Sequence, residues 1–289
     1  MAESVGIVLE GGAMRCLFTV GIMDVLTDAG IVPQGIIGVS AGAAFGCNYK
    51  SRQPGRAIAY NKRFARDARY GGVRSFLTTG DYYNAAFAYH IVPTKYDPFD
   101  DAAFERNPMA FYVVCTDIVT GTPVYKRCDT AGHPFYEWVR ASASMPVLAR
   151  PVRIDGHVLL DGGITDSIPL RYFESIGYEK NIVILTQPKG YVMRPNKAMP
   201  IIKFWLRRYP AGSRAMQRRH EMYNAQTAYV EEEERAGRCL VMRPESALPI
   251  GLISHDAEAM QRVYDIGRDY AVRRLEETRA FVAPSAAPR

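Results

Sequence analysis

Gly38-Val39-Ser40-Ala41-Gly42 sets a serine between two glycines where the apolar run Gly35 to Val39 gives way to AGAAFGCNYK. At a strand-to-helix turn of this kind the flanking Gly38 and Gly42 let the chain bend sharply and the helix pack close, leaving the serine hydroxyl exposed near the positive end of a helix. The chemistry such a residue serves is nucleophilic attack on an acyl carbonyl. A turn without reactivity is the plainer reading of GxSxG, and the strand-before, helix-after context is what favours a nucleophile at Ser40.

An attacking serine needs donors for the developing oxyanion and a base for its proton. Glu10-Gly11-Gly12-Ala13-Met14-Arg15-Cys16 follows the apolar run Val5 to Leu9, one strand-loop-helix unit before Ser40. In a parallel sheet its backbone amides would adjoin the nucleophile, which makes this segment the candidate oxyanion hole. A phosphate-cradling loop is disfavoured because no GK[ST] follows and the GxGxxG spacing is not met. Histidine is the usual partner of a catalytic serine, yet none of the five is well placed. His90 and His133 stand near prolines in apparent loops, His157 begins a strand, His220 sits in a basic segment, and His255 precedes a helix. Asp161 differs: it ends a short strand from His157 to Leu160, precedes Gly162 and Gly163, and falls at the same edge of the sheet as Ser40. A carboxylate hydrogen-bonded to a buried serine can take its proton as attack proceeds when water is excluded. A Ser40–Asp161 pair is therefore chemically sufficient.

The elements that must hold these groups follow from periodicity. Two strand-loop-helix repeats within about 50 residues imply parallel α/β layering with functional loops at the strands' C-terminal ends. Ala110 to Asp117 and Asn181 to Thr186 read as further buried strands, Glu137 to Ser144 as a short helix stopped before Pro146, and Ala257 to Thr278 as an amphipathic helix. Residues 60–105 are aromatic and irregular; a mostly helical cap fits them, and Tyr82 to Tyr89 would serve either as core or as the lining of an acyl groove. A single domain over 1–289 is expected, with a helical, basic part over 191–280 and a frayed tail over 281–289.

The 289 residues are 48% hydrophobic and 23% charged, an ordinary globular balance. The five cysteines are odd in number and form no CxxC, which argues against a disulfide framework or a zinc cluster. No basic n-region precedes an apolar h-region, and no run of about 18 apolar residues occurs, so the expected location is the cytoplasm. The net charge of +6 is local: Lys180 to His220 holds ten Lys or Arg and no acid, leaving 26 − 30 = −4 for the remainder. This run reads first as a solvated helical face partnered by Glu231 to Glu234. Its functional alternative, with Phe204, Trp205 and Tyr209 interleaved, is peripheral contact through 189–219 with an anionic membrane at its inner face. Nucleic acid would be drawn to the same charges but is not the expected partner.

In their order and wording, GGAMRC, GVSAG and DGG (Asp161 to Gly163) resemble the three motifs of the patatin-like phospholipase family, in its bacterial cytoplasmic branch. Ala141 to Pro146 (ASASMP) and Asp166 to Leu170 (DSIPL) are similar as well. The resemblance covers about residues 5–190 and extends more weakly to about 275. It implies a three-layer α/β/α sandwich with a mostly parallel central sheet, and hydrolysis of lipid acyl esters by a Ser-Asp dyad without metal or cofactor. Carried over by motif, Ser40 attacks, Asp161 accepts the proton and later activates water, amides near Gly11, Gly12 and Ala13 hold the oxyanion, and Arg15, at the family's basic position, shapes the loop rather than binding phosphate. Ala13 and Cys16 depart from the family, which usually has glycine there; a non-glycine residue at φ > 0 costs of order 1 kcal/mol. Cys16 also brings a thiol near a helix start, where its acidity could rise, with plain packing as the alternative. Two further functions share these motifs: a lipid-binding module with weak catalysis, and an acyltransferase with an acceptor other than water.

Overall fold

The computed structural model describes residues 4–283. In chain order the elements are β1 (Val5–Leu9), α1 (Leu17–Asp28), β2 (Gly35–Val39), α2 (Ala41–Lys50), α3 (Arg56–Phe64), α4 (Val73–Thr79), α5 (Asp101–Arg106), β3 (Ala110–Asp117), β4 (Thr122–Arg127), α6 (His133–Ser142), β5 (Val152–Ile154) and β6 (His157–Asp161). They continue with α7 (Leu170–Ser175), β7 (Lys180–Ile184), α8 (Met199–Trp205), α9 (Pro210–Arg235), β8 (Cys239–Met242), α10 (Ala257–Arg273) and α11 (Leu275–Val282). Short 3-10 turns cover Ala13–Cys16 and Gly162–Ile164, and a π-helical stretch runs over Phe87–Tyr96.

Eight strands make one sheet, ordered β5-β6-β3-β2-β1-β7-β8, with β4 also on β3. The run β3-β2-β1-β7-β8 is parallel, whereas β4 and β6 pair antiparallel with β3, and β5 with β6. Side chains alternate between the faces, as a period of two requires. Ile7, Leu9, Ile36, Phe111, Val113, Ile182, Ile184 and Met242 join the core under α1, α2, α3, α5, α6 and α10. Val8, Ile37, Val39, Val114, Val183 and Val241 face Leu170 and Phe173 of α7 and Tyr223 and Val230 of α9. Helices thus cover both faces, giving the three layers expected.

β4, β5 and β8 are absent from the sequence reading. β4 carries a proline and is half-exposed, so it lacks the apolar run that marks a strand; β5 and β8 have three and four residues. The helix expected over 257–278 breaks at Arg274 into α10 and α11. Phe281 and Val282, expected in the tail, close α11, and residues 284–289 lie outside the described residues. α10 lies against α1 with almost no gap. A Cβ on Gly21 would fall 2.1 Å from the Tyr264 carbonyl oxygen, and one on Gly267 2.1 Å from that of Phe18.

Candidate active site

Ser40 follows the last residue of β2 in the left-handed region (φ 55°, ψ −126°) and is buried. That conformation costs a non-glycine residue on the order of 1–3 kcal/mol, so its surroundings must impose it. They do so with hydrogen bonds and glycines. The Ser40 amide donates to the Ser142 hydroxyl at 2.8 Å, which donates to the Val114 carbonyl at 2.6 Å. The Ser40 carbonyl accepts from Ala43 and Ala44, both at 3.0 Å. A Cβ on Gly38 would stand 2.7 Å from the Ala43 backbone, and one on Gly42 2.7 Å from the Glu10 carbonyl oxygen, so both motif glycines are required for close approach.

Sheet register brings Asp161 to this point. β4 occupies one edge of β3 from Tyr112 to Asp117, so β2 and β6 share the other. Val39 is opposite Val114 and Asp161 is opposite Cys115, the next residue. The C-terminal tips of β2 and β6 therefore meet. The Asp161 carboxyl is held by the Gly163 amide at 2.8 Å, while its own amide donates to the Ser144 carbonyl at 2.8 Å and its carbonyl accepts from Thr116 at 2.8 Å. Burial raises its pKa above the ordinary 3.8, and the Ser40 side chain, the Gly163 amide and the Arg219 guanidinium oppose that rise by favouring the charged form. Gly162 fits only without a side chain, since a Cβ would lie 2.2 Å from the Val114 carbonyl oxygen.

The glycine loop completes the group. A Cβ on Gly11 would come within 2.9 Å of the Ser40 Cβ, which measures how closely this backbone borders Ser40. The Gly11 and Gly12 amides make no hydrogen bond among the described residues. Ala13 adopts φ 47°, so one of the two departures from glycine sits in the left-handed region; Cys16, at φ −65°, does not. Cys16 is buried with its thiol on the Glu10 carbonyl at 3.5 Å, and desolvation pushes its pKa up, opposite to the helix-start effect. Glu10 anchors the loop: its carboxylate accepts from the Thr186 amide (2.5 Å) and hydroxyl (3.1 Å) and from the Tyr223 hydroxyl (2.7 Å). Neither this role nor that of Ser142 was read from sequence, because their partners are remote along the chain.

Two cavities meet at Ser40. An apolar one of about 210 Å³ runs under the residues 81–93 and is lined by Phe45, Tyr60, Tyr82, Tyr83 and Tyr89. A second, more mixed one of about 240 Å³ is lined by Gly11, Gly12, Asp161 and Arg219 together with Ile164 and Met216. Ala13, Ser40, Met145 and Leu252 border both. Three histidines are engaged elsewhere: His157 Nδ1 with Asp117 (2.8 Å), His255 Nε2 with the Tyr82 hydroxyl (2.9 Å), and His90 Nε2 with Glu137 (2.7 Å). His90, His133 and Glu137 gather three ligand atoms within 4.8 Å. The imidazoles are nonetheless stacked at 4.6 Å, 16° from parallel, and Glu137 is engaged by Arg140 at 2.5 Å. Stacked rings cannot both aim an in-plane nitrogen at one ion, so this arrangement is not a formed metal centre.

The basic segment is not neutralised by the acidic run as expected, because Glu231 and Glu234 pair with Arg243, and Glu233 with Arg238. No helix among the described residues is long and apolar enough to cross a membrane.

Residues 7–174 match the family model of patatin-like phospholipases, and residues 209–283 match that of a domain of unknown function, DUF6363. Lysophospholipase nte1 of Aspergillus terreus is 28% identical over 298 residues, covering 95% of this chain and 18% of that protein. The Aspergillus fumigatus protein of the same name is 31% identical over 186 residues, covering 61% and 11%. The chain thus spans less than a fifth of these relatives. VipD from Legionella pneumophila superposes with a TM-score of 0.47 at 12% identity, covering 96% of this chain and 67% of that one.

Proposed function

The chain belongs to the patatin-like phospholipase family, and on that premise we propose that it is a serine acyl hydrolase cleaving carboxylic esters of lipids through an acyl-enzyme. The observation that carries this reading is the strained, buried Ser40 beside the buried Asp161, with unpaired glycine amides at Gly11 and Gly12. In the proposed cycle the Ser40 oxygen attacks the acyl carbonyl carbon while its proton passes to Asp161. The amides of Gly11, Gly12 and Ala13 take up the oxyanion. The ester C–O bond then breaks and the alcohol leaves with the proton from Asp161. Water attacks the acyl-enzyme, gives a proton to Asp161, and the fatty acid departs as Ser40 recovers that proton. The apolar cavity suits the acyl chain.

The proposed reading extends to the outer surface. Val192, Ile201 and Phe204 are 65%, 63% and 69% exposed, in the same segment as the exposed cations Lys203, Arg207 and Arg208. Apolar groups set among cations suit peripheral contact with an anionic lipid surface through 189–219.

A fluorophosphonate probe tests the catalytic reading. One adduct at Ser40, absent from Ser40→Ala, is the expected result; a folded protein that stays unlabelled would overturn it.

A further inference from the structure

Helix α9 sets Gly212, Met216, Arg219, Tyr223, Gln226 and Val230 along one stripe, at alternating steps of four and three residues. A stripe that only had to pack would be apolar. Arg219 and Gln226 interrupt it, Tyr223 carries a hydroxyl, and all three polar groups end on the loops that border Ser40. Arg219 donates its Nε hydrogen to the Gly163 carbonyl at 2.6 Å, which also accepts from the Ser167 hydroxyl at 2.8 Å. A Cβ on Gly163 would have Asp161 Oδ1 at 3.1 Å and Arg219 Nη2 at 3.6 Å, so carboxyl and guanidinium flank the same glycine. Gln226 takes the next turn: its Oε1 accepts from the Ser167 and Ile168 amides, both at 3.1 Å, and its Nε2 donates to Asp166 at 2.6 Å. Tyr223 reaches the glycine loop instead, donating its hydroxyl to the Glu10 carboxyl at 2.7 Å. That loop is held a second time where the Met14 amide donates to the Leu252 carbonyl at 3.3 Å. Arg219, Tyr223, Gln226 and Leu252 all lie outside the phospholipase match over 7–174 and inside the match over 209–283 to a domain of unknown function.

We propose that the segment 209–283 is a clamp that positions the active site, with Tyr223 holding the oxyanion loop through Glu10 while Arg219 and Gln226 hold the turn after Asp161. The inference rests on the hydrolase reading for its effect on turnover, and it gives the C-terminal segment a part in that turnover. Tyr223, Arg219 and Gln226 are positioning residues, acting through Glu10, Gly163 and Asp166. Arg219 also brings charge. Burial raises the Asp161 pKa, and Arg219 is the cation that opposes the rise. The other titratable groups around Asp161 are Cys16 in the glycine loop, Cys115 on β3 and Tyr89 in the π-helical stretch, and burial keeps all three neutral by pushing their pKa values up.

The test uses the full chain and a water-soluble p-nitrophenyl ester, which reads turnover apart from any lipid surface. Tyr223→Phe keeps the ring and removes only the hydroxyl. Its kcat is expected to fall about fivefold or more with KM unchanged, because the loop it aligns acts on the transition state. Arg219→Gln should move the acid limb of kcat/KM to higher pH, and Arg219→Lys, which keeps the charge, should return it toward wild type. A helix that only packs would lower Tm in these variants and leave kcat, KM and the limb as in wild type, which would overturn the proposal. Amide hydrogen exchange decides the matter without catalysis. Peptides covering 10–16 should exchange faster in Tyr223→Phe, and those covering 163–168 faster in Gln226→Ala. Unchanged exchange in both overturns the clamp. If wild type turns over no ester and Ser40 stays unlabelled, the hydrolase reading fails by itself, and the exchange data still decide the clamp.

Discussion

The Ser142 hydroxyl accepts the Ser40 amide proton at 2.8 Å and spends its own on the Val114 carbonyl. One side chain at the end of α6 thus ties the turn after β2 to the adjacent strand β3. Two residues on, the Ser144 carbonyl accepts from the Asp161 amide. The segment Ala141 to Ser144 therefore grips both members of the proposed dyad and sets the distance between them.

Ser142→Ala should leave the buried Ser40 amide without an acceptor, costing about 1–3 kcal/mol of stability. The loosened turn should lower ester turnover by at least tenfold. Urea unfolding and kcat/KM measured on the same preparation check both, and full turnover in the variant would deny Ser142 its positioning role.

Ser40→Gly should raise stability by about 1 kcal/mol, because glycine adopts φ 55° without the Cβ penalty, while removing all turnover. Ser40→Ala keeps the Cβ and should melt close to wild type. A calorimetric Tm that rises for glycine and not for alanine is the expected pattern.

Burial raises the Asp161 pKa above 3.8, so the folded protein binds that proton more tightly than the unfolded chain. Its contribution to stability is then greatest below pH 3.8 and falls as pH rises through the elevated folded value, with nothing further lost above it. Catalysis runs the other way, since a base must be ionised. The acid limb of the kcat/KM profile is expected above pH 3.8, and Asp161→Asn should be inactive without loss of stability at neutral pH. A limb at or below 3.8 would remove Asp161 as the base.

Phe204→Asp should weaken binding to anionic vesicles by about tenfold or more, from the lost burial of one large apolar side chain. Wild-type binding should also decline as salt rises. Co-sedimentation with anionic and neutral vesicles measures both, and equal affinity for the two would reject an electrostatic contribution from 189–219.

Gly267→Ala would set a methyl group 2.1 Å from the Phe18 carbonyl oxygen, and forcing α10 from α1 should cost about 1–3 kcal/mol. Because β8 belongs to the same sheet as β1, unfolding is expected as one transition whose Tm falls in the variant. Two separate transitions would show that 209–283 folds on its own.

Ser40 and Asp161 were legible because each stands where an apolar run stops beside glycines, a signal confined to a few neighbouring residues. Strand ends also gave the parallel order away. Glu10 was not legible as an anchor: its partners Thr186 and Tyr223 are 176 and 213 residues distant, and a buried glutamate at a loop looks like any polar loop residue. Ser142 lies within the ASASMP run, yet its purpose depends on β2 and β6 sharing one edge of β3, which periodicity does not encode.

Ala13, Ser40, Met145 and Leu252 form a waist between the two cavities, and the Leu252 carbonyl is fastened there by the Met14 amide at 3.3 Å. In the proposed cycle an ester lying across this waist would be cut into halves that stand in different compartments. Its alcohol half would then drain through the second cavity while the acyl half is still attached, and the incoming water would arrive by the route just vacated. Traffic through the protein would then be ordered by the waist itself: alcohol out first, water in by the same door, fatty acid last.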